Sequence, residues 1–204
     1  RCHACVMYVL TIDQQGSRRA PDRVPALLAG LPAVPGLVRE AERTVGDEVQ
    51  AVLDEAAGAV WLVLHVLRLG QWSVGIGAGP VDEPLPASTR EGRGAAFVLA
   101  RAAVDAAKSR NRSVPLAVRG ADSAAAGDAE AVLTLLGAVV ARRTLAGWAA
   151  IDAASISGGG GQEAVAARLG ISQQAVSERL RTALWAEELA ARPAAARLLT
   201  LAAG

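Results

Sequence analysis

The chain changes character at Gly120. Before it, short β-forming runs alternate with helix-length apolar segments; after it, every periodic segment reads as helix. That division limits the fold to a sheet-bearing part followed by an all-helical part. Cys5–Ile12 (CVMYVLTI) is a continuous apolar run, as a strand covered on both faces requires, and it ends at Asp13. Pro21 and Asp22 open a helix expected over Asp22–Leu31, closed by Pro32, Pro35 and Gly36. Leu37–Val45 and Val49–Leu53 read as strands joined at Gly46-Asp47-Glu48. Ala56–Leu69 has the length of a buried helix, Gln71–Gly77 alternates as a strand, and Glu91–Arg110 is an amphipathic helix. Ser113–Arg119 is expected at a sheet edge, because Pro115 lacks the N–H that a central ladder needs. The order implies an α+β sheet with its helices packed on one face.

Residues 1–120 are therefore read as the sheet domain and 128–204 as the helical region, with Ala121–Gly127 as a linker. Ala129–Ala150 is expected as one long helix, and Gly158–Gly161 as a flexible break before the last helices. Within that region, residues 162–184 read QEAVAARLGISQQAVSERLRTAL. Val165 and Leu169 share a helix face, Gly170 permits a tight reversal, and Ser172 suits the N-cap of the next helix. Val176 and Leu180 continue the inward face, Ile171 plugs the turn, and small Ala166 lets the helices cross closely. The spacing is that of a helix-turn-helix. Gln173, Gln174, Ser177, Glu178 and Arg181 would face outward, where glutamine can pair with adenine edges and Arg179 or Arg181 can reach phosphate or guanine. Ser172, Gln173, Gln174, Ser177, Arg179 and Arg181 are the DNA-contact candidates; a helical hairpin used only for packing is the alternative. The stretch resembles region 4 of sigma factors and the LuxR-type helix-turn-helix. One such unit binds DNA weakly, so a homodimer or a partner protein is expected, with Trp185–Leu201 as a dimer-forming or packing helix.

Charge does not advertise nucleic acid. Lys+Arg total 21, of which only Lys108 is Lys, against 20 Asp+Glu, for a net charge of +1, so any DNA contact must come from a local face. Hydrophobic residues make up 52% and aromatics 3%, which leaves Ala, Val and Leu to build the core. The longest apolar stretch, Ala56–Leu67, falls short of the roughly 18–20 residues that cross a bilayer. With no signal-peptide pattern either, a cytoplasmic protein without a membrane partner is expected. Cys2 and Cys5 form a CxxC around His3, but no second ligand pair exists, and the segment is read as a strand start or a disordered end.

The hairpin raises a second function. Asp13 ends the first strand and Asp47 sits at the hairpin tip. If those strands are neighbours, the two carboxylates converge and suit Mg²⁺, which takes one or two carboxylates plus phosphate oxygens and water. Ordinary turn chemistry at Gly46-Asp47 is the competing explanation. ERTVGDE resembles the hairpin of class III nucleotidyl cyclases, whose two metal-binding aspartates match Asp13 and Asp47. IDQQGSR resembles the cyclase first-strand motif. Over nearly the full length the chain resembles the SatD family: Asp13-Gln14-Gln15-Gly16-Ser17-Arg18, then Gly46-Asp47-Glu48-Val49-Gln50, Gly75-Ile76-Gly77, and QEAVAARLGIS follow in order. The resemblance implies a ferredoxin-like, cyclase-related sheet domain carrying a helix-turn-helix region. The cyclase resemblance, together with the nearby arginines, leads to an expected nucleotide or phosphorylated ligand near Arg18, Arg43 and Arg101.

Departures from the cyclase pattern point away from catalysis. Arg43 stands where a purine-reading Lys is expected, and Phe97 with Arg101 stands where the pattern has Asn followed by Arg. No catalytic residue is assigned. His65, among Leu64, Val66 and Trp61, reads as a buried histidine, and Trp61, Trp72, Trp148 and Trp185 as core or interface anchors. Gly75–Gly79 (GIGAG) is too degenerate for a dinucleotide fingerprint. The expectation is a DNA-binding regulator with a ligand-sensing sheet domain; a metal-dependent nucleotide enzyme and a pure interaction module are the rivals.

Overall fold

The structure, a computed structural model, describes residues 6–156 and 161–204. Cys2, His3 and Cys5, with Gly158–Gly160 of the glycine run, lie outside the described residues. Five strands form one mixed sheet: β1 (Val6–Gln14), β2 (Leu37–Arg43), β3 (Glu48–Leu53), β4 (Trp72–Pro80) and β5 (Leu116–Gly120). Their order is β2-β3-β1-β4-β5, antiparallel except for the parallel β4–β5 edge. Eight α-helices accompany the sheet among the described residues: α1 (Val24–Gly30), α2 (Ala56–Leu69), α3 (Ala95–Ala107), α4 (Ser123–Ala141), α5 (Leu145–Ile156), α6 (Gly161–Leu169), α7 (Gln173–Thr182) and α8 (Trp185–Ala202).

β1 is central, and its pleat sends alternate residues to opposite faces. Tyr8, Leu10 and Ile12 join the larger core with α1, α2, α4 and α8, while Met7 and Val9 join a smaller one with Ala96, Phe97 and Ala100 of α3. Helices therefore cover both faces, not one as expected. This is why β1 reads as an unbroken apolar run.

The expected division of the chain also shifts. Ser123 already begins α4, with the Asp122 carboxylate accepting from the Ala124 and Ala125 amides, so Ala121–Gly127 is no linker. The expected long helix breaks at Arg142–Thr144 into α4 and α5. Glu91–Arg110 shortens to α3, preceded by a 3-10 turn at Thr89–Glu91. Ala129, Leu133 and Val140 of α4 and Ala195, Leu199 and Ala202 of α8 are buried in the same core as the sheet. Residue 120 thus separates kinds of secondary structure rather than two cores, and α8 is a packing helix. α4 is also long and apolar enough to cross a membrane by length and composition, but its inward face is committed to this core.

Helices α5–α7 form a satellite cluster around Ala153, Val165, Ala166 and Val176. Two ionic contacts fasten it to the body. Arg68 of α2 pairs bidentately with Asp152 of α5 at 2.6 Å for both bonds, its guanidinium 4.0 Å from the Trp148 ring centre. Arg143 and Glu188 pair at 2.5 Å with side chains 2% and 1% exposed, and Arg192 adds a second cation to Glu188. Arg143 also donates to the Ala183 carbonyl at 2.7 Å and lies against the rings of Trp148 and Trp185. Removing one partner of a buried pair strands the other. Glu188→Ala is expected to cost about 3–5 kcal/mol in urea unfolding, and Arg143→Met combined with Glu188→Leu clearly less than the sum of the single changes.

Candidate functional site

The face of the sheet under α3 grades from apolar to charged. Met7, Val9 and Val52 lie at one end. Next comes Thr11, whose hydroxyl accepts from the Gln50 amide at 3.3 Å, and then the cross-strand pair Asp13 and Glu48. Glu48, read from sequence as a turn residue, is buried at 3% exposure. Arg101 of α3 grips it bidentately at 2.8 and 2.9 Å, and Thr44 Oγ1 donates to it at 2.6 Å. Asp13 pairs instead with Lys108 just beyond α3, Nζ to Oδ1 3.0 Å; Lys108 also lies 3.6 Å from Asp105.

α3 can reach both carboxylates because it seats directly on β4. A Cβ added at Gly75 would strike the Val104 amide and the Ala100 carbonyl, and one at Gly77 the Ala96 carbonyl and the Ala100 amide. The GIG stretch is therefore a landing strip for a helix, a role sequence reading did not assign to it.

The electrostatics follow from this crowding. Burial pushes the Asp13 carboxyl above its ordinary range; Lys108 opposes the rise, while Asp47 and Asp105 add to it. Lys108 loses some basicity to burial, but its bond to Asp13 and the surrounding carboxylates leave it above the usual lysine value. Asp47 is thus close enough for its charge to act on Asp13, although Lys108 is the cation in contact with that carboxylate. Among the described residues no group of three His, Cys, Asp or Glu side chains is arranged to hold a metal.

Beside Asp13 a cleft of about 780 Å³ opens between the β1–α1 loop and the α3–β5 loop. It is lined by Arg18, Arg19, Lys108, Arg110 and Arg112, with Asp13 its one carboxylate among the described residues. Both walls are pinned. Gln14 donates to the Pro21 carbonyl and accepts from the Arg23 amide, each at 2.8 Å, and the Gln15 amide donates to the Gln71 carbonyl at 2.8 Å. On the other wall Arg112 bonds both the Leu116 carbonyl and Glu130 at 2.7 Å. Burial would raise the Glu130 carboxyl, but the Val118 amide with Arg112 and Arg119 outweighs it and holds Glu130 below its usual range.

Of the three arginines expected at the ligand, only Arg18 lines this cleft. Arg43 is held by Asp22, Arg101 is committed to Glu48, and Phe97 is buried in the smaller core. Lys108, Arg110 and Arg112 were missed; the signal was that Lys108 is the sole Lys in an arginine-rich chain, followed by Ser109-Arg110-Asn111-Arg112. His65 stacks on Trp61 at 5.1 Å between centroids, and burial, then Arg68, lowers its pKa, so it serves as a neutral packing group.

In the C-terminal cluster α6 ends at Leu169, Gly170 turns with φ +65°, and Ser172 Oγ accepts from the Ala175 amide at 3.1 Å to cap α7. Val165, Ala166 and Val176 are buried, with Leu169, Ile171 and Leu180 packed against them. Ser172, Gln173, Gln174, Ser177 and Arg181 are exposed, and Arg181 pairs with Glu178. Arg179 is half-buried instead, and shares a groove with Arg142 and Thr182.

Comparison with models of known protein families, with curated proteins and with solved structures gave no match to this chain.

Asp13 is a direct probe of the cluster. Carboxyl carbon NMR titration is expected to place its pKa above the ordinary aspartate range, higher still in Lys108→Met and lower in Asp47→Asn. Because the folded value is raised, the protonated form favours the fold, and Asp13 ionisation costs stability as pH rises through that value. An ordinary pKa indifferent to both substitutions would remove the cluster.

Proposed function

We propose that the chain is a DNA-binding transcriptional regulator whose sheet part senses a nucleotide or other phosphorylated ligand. The carrying observation is the exposed face of α7: Gln173, Gln174, Ser177 and Arg181 lie on a capped helix whose opposite side, Val176 and Leu180, is consumed by packing. An exposed face of amides and a guanidinium, free of large apolar residues, suits groove edges and phosphates better than a protein partner. In this reading α6 and α7 are a helix-turn-helix, α7 is the reading helix, and the protein works in the cytoplasm as a homodimer on paired half-sites. β1-α1-β2-β3-α2-β4 in the order β2-β3-β1-β4 is the βαββαβ arrangement of a ferredoxin-like domain, extended here by β5, which supports the likeness to class III cyclases and to the SatD family.

The sensing part rests on Asp13, Asp47 and the nearby arginines. Mg²⁺, in this reading, arrives with the ligand's phosphates and is not held beforehand, since Asp13 already has the Lys108 ammonium at 3.0 Å. A second reading, a metal-dependent nucleotide enzyme, draws on the charge that Asp47 exerts at Asp13. It requires Mg²⁺-dependent turnover that vanishes in Asp47→Asn. Commitment of Arg101 to Glu48 favours sensing over catalysis, because it occupies the cation that would otherwise stabilise phosphoryl transfer.

The test is selection of bound duplexes from a random library, followed by fluorescence anisotropy. Replacing Gln173, Gln174 and Arg181 together by Ala is expected to weaken the selected duplex by at least about a hundredfold, while changing the fold's stability little. Enrichment of no sequence by the wild type, or equal binding by the variant, would contradict the assignment of α7.

A further inference from the structure

Resting on the reading of the sheet part as a sensor, but replacing its Asp13–Asp47 metal route with a metal-free one, we infer that the basic cleft beside Asp13 binds an oligophosphate directly, through its phosphates alone. No metal is required and no base is read. The cleft of about 780 Å³ has room for a nucleotide-sized anion and sets five cations against the single carboxylate of Asp13. Arg112 is tied to Glu130 and Lys108 to Asp13, but Arg18, Arg19 and Arg110 have no carboxylate partner among the described residues. Three unpaired guanidinium groups facing one cleft repel one another in the empty state, and a ligand with several phosphates relieves this through charge-assisted, bidentate hydrogen bonds.

The same residues define what is not recognised. Among the described residues the lining contains no aromatic side chain on which a base could stack; its apolar residues are Ala107 and Pro115. Asp47 is not part of the lining, so the cleft is distinct from the hairpin tip, on the β4–β5 side of β1. Lys108 is the residue that changes partner. It holds Asp13 in the empty state, and a phosphate entering the cleft competes with that carboxylate for its ammonium group. Asp13 therefore opposes binding, whereas a metal site at Asp13 and Asp47 would make it indispensable.

Isothermal titration of the full chain with inorganic tripolyphosphate in EDTA, at near-physiological salt, tests this. Tripolyphosphate and ATP are expected to bind within about threefold of each other, with AMP and orthophosphate at least about tenfold weaker. Arg18→Ser combined with Arg110→Ser, both on exposed loops, is expected to weaken tripolyphosphate by at least about tenfold, and Asp13→Asn to tighten it several-fold. Failure of tripolyphosphate to bind overturns the inference, and so does unaltered binding by the double variant. ATP favoured over tripolyphosphate by more than about tenfold means that the base is read, which also overturns it. Binding that appears only with Mg²⁺ and is lost in Asp13→Asn or Asp47→Asn overturns it in favour of the hairpin metal site, leaving the regulator reading intact. Displacement of tripolyphosphate by a short DNA duplex that persists when Gln173, Gln174 and Arg181 are replaced by Ala overturns it in favour of a nucleic-acid groove. Conversely, tripolyphosphate binding with the expected variant effects, in a protein that selects no duplex, supports the cleft while removing the regulator.

Discussion

The contact on which the charged end of the molecule depends is the direct seating of α3 on β4. Gly75 and Gly77 present no side chain, so the backbone of α3 at Ala96, Ala100 and Val104 takes the space that Cβ atoms would fill. Lowering the helix onto the strand does more than pack the small core of Met7, Val9 and Phe97. It sets Arg101 over Glu48 and Lys108 over Asp13, two ion pairs across the end of the sheet. Two carboxylates directly opposite each other in the ladder would otherwise repel at a partly buried position. The landing strip and the charge cluster are two consequences of one close approach.

A second constraint joins the sheet to the helices that follow. Glu130 on α4 binds Arg112, a wall of the cleft, together with Arg119 and the Val118 amide of β5. Just beyond the other end of α4, Arg143 enters its pair with Glu188 between Trp148 and Trp185. One helix therefore holds the Arg112 wall of the cleft through Glu130 in its first half and leads directly into Arg143, which bonds the Ala183 carbonyl just past α7. A ligand that rearranged the Arg112 loop would act on the helix that leads into this contact.

How much of this the sequence disclosed depended on the range of each signal. Period and punctuation located β1, the hairpin and α2, and the bounds of α2 were read residue for residue from the length of its apolar run; in the structure Gly70 ends it. Ser172 as a cap and Gly170 as a turn were legible as local chemistry. What could not be read was long-range. A run of Ala, Ser and Gly at 121–127 reads as linker by composition, yet Asp122 caps a helix there whose small residues pack under the sheet. Covering both faces of the sheet required knowing that GIG was a contact surface. Arg43 and Arg101 were placed at a ligand by analogy, but each has a carboxylate partner, Asp22 for Arg43 and Glu48 for Arg101, that only the fold brings near. Lys108 and Arg110 were hidden because the residues that make them a site lie some ninety positions away in β1 and its loop.

The most direct test of this account is urea unfolding of Gly77→Ala. If α3 rests on the bare backbone of β4, the added methyl group meets the Ala96 carbonyl and the Ala100 amide, and the variant should lose about 3 kcal/mol or fail to fold. If the helix is not seated there, the same change lowers only the freedom of the unfolded chain, and stability should rise by about 0.4–1 kcal/mol. A gain would contradict the seating of α3, and with it the pairing of Arg101 and Lys108 that the site is built on.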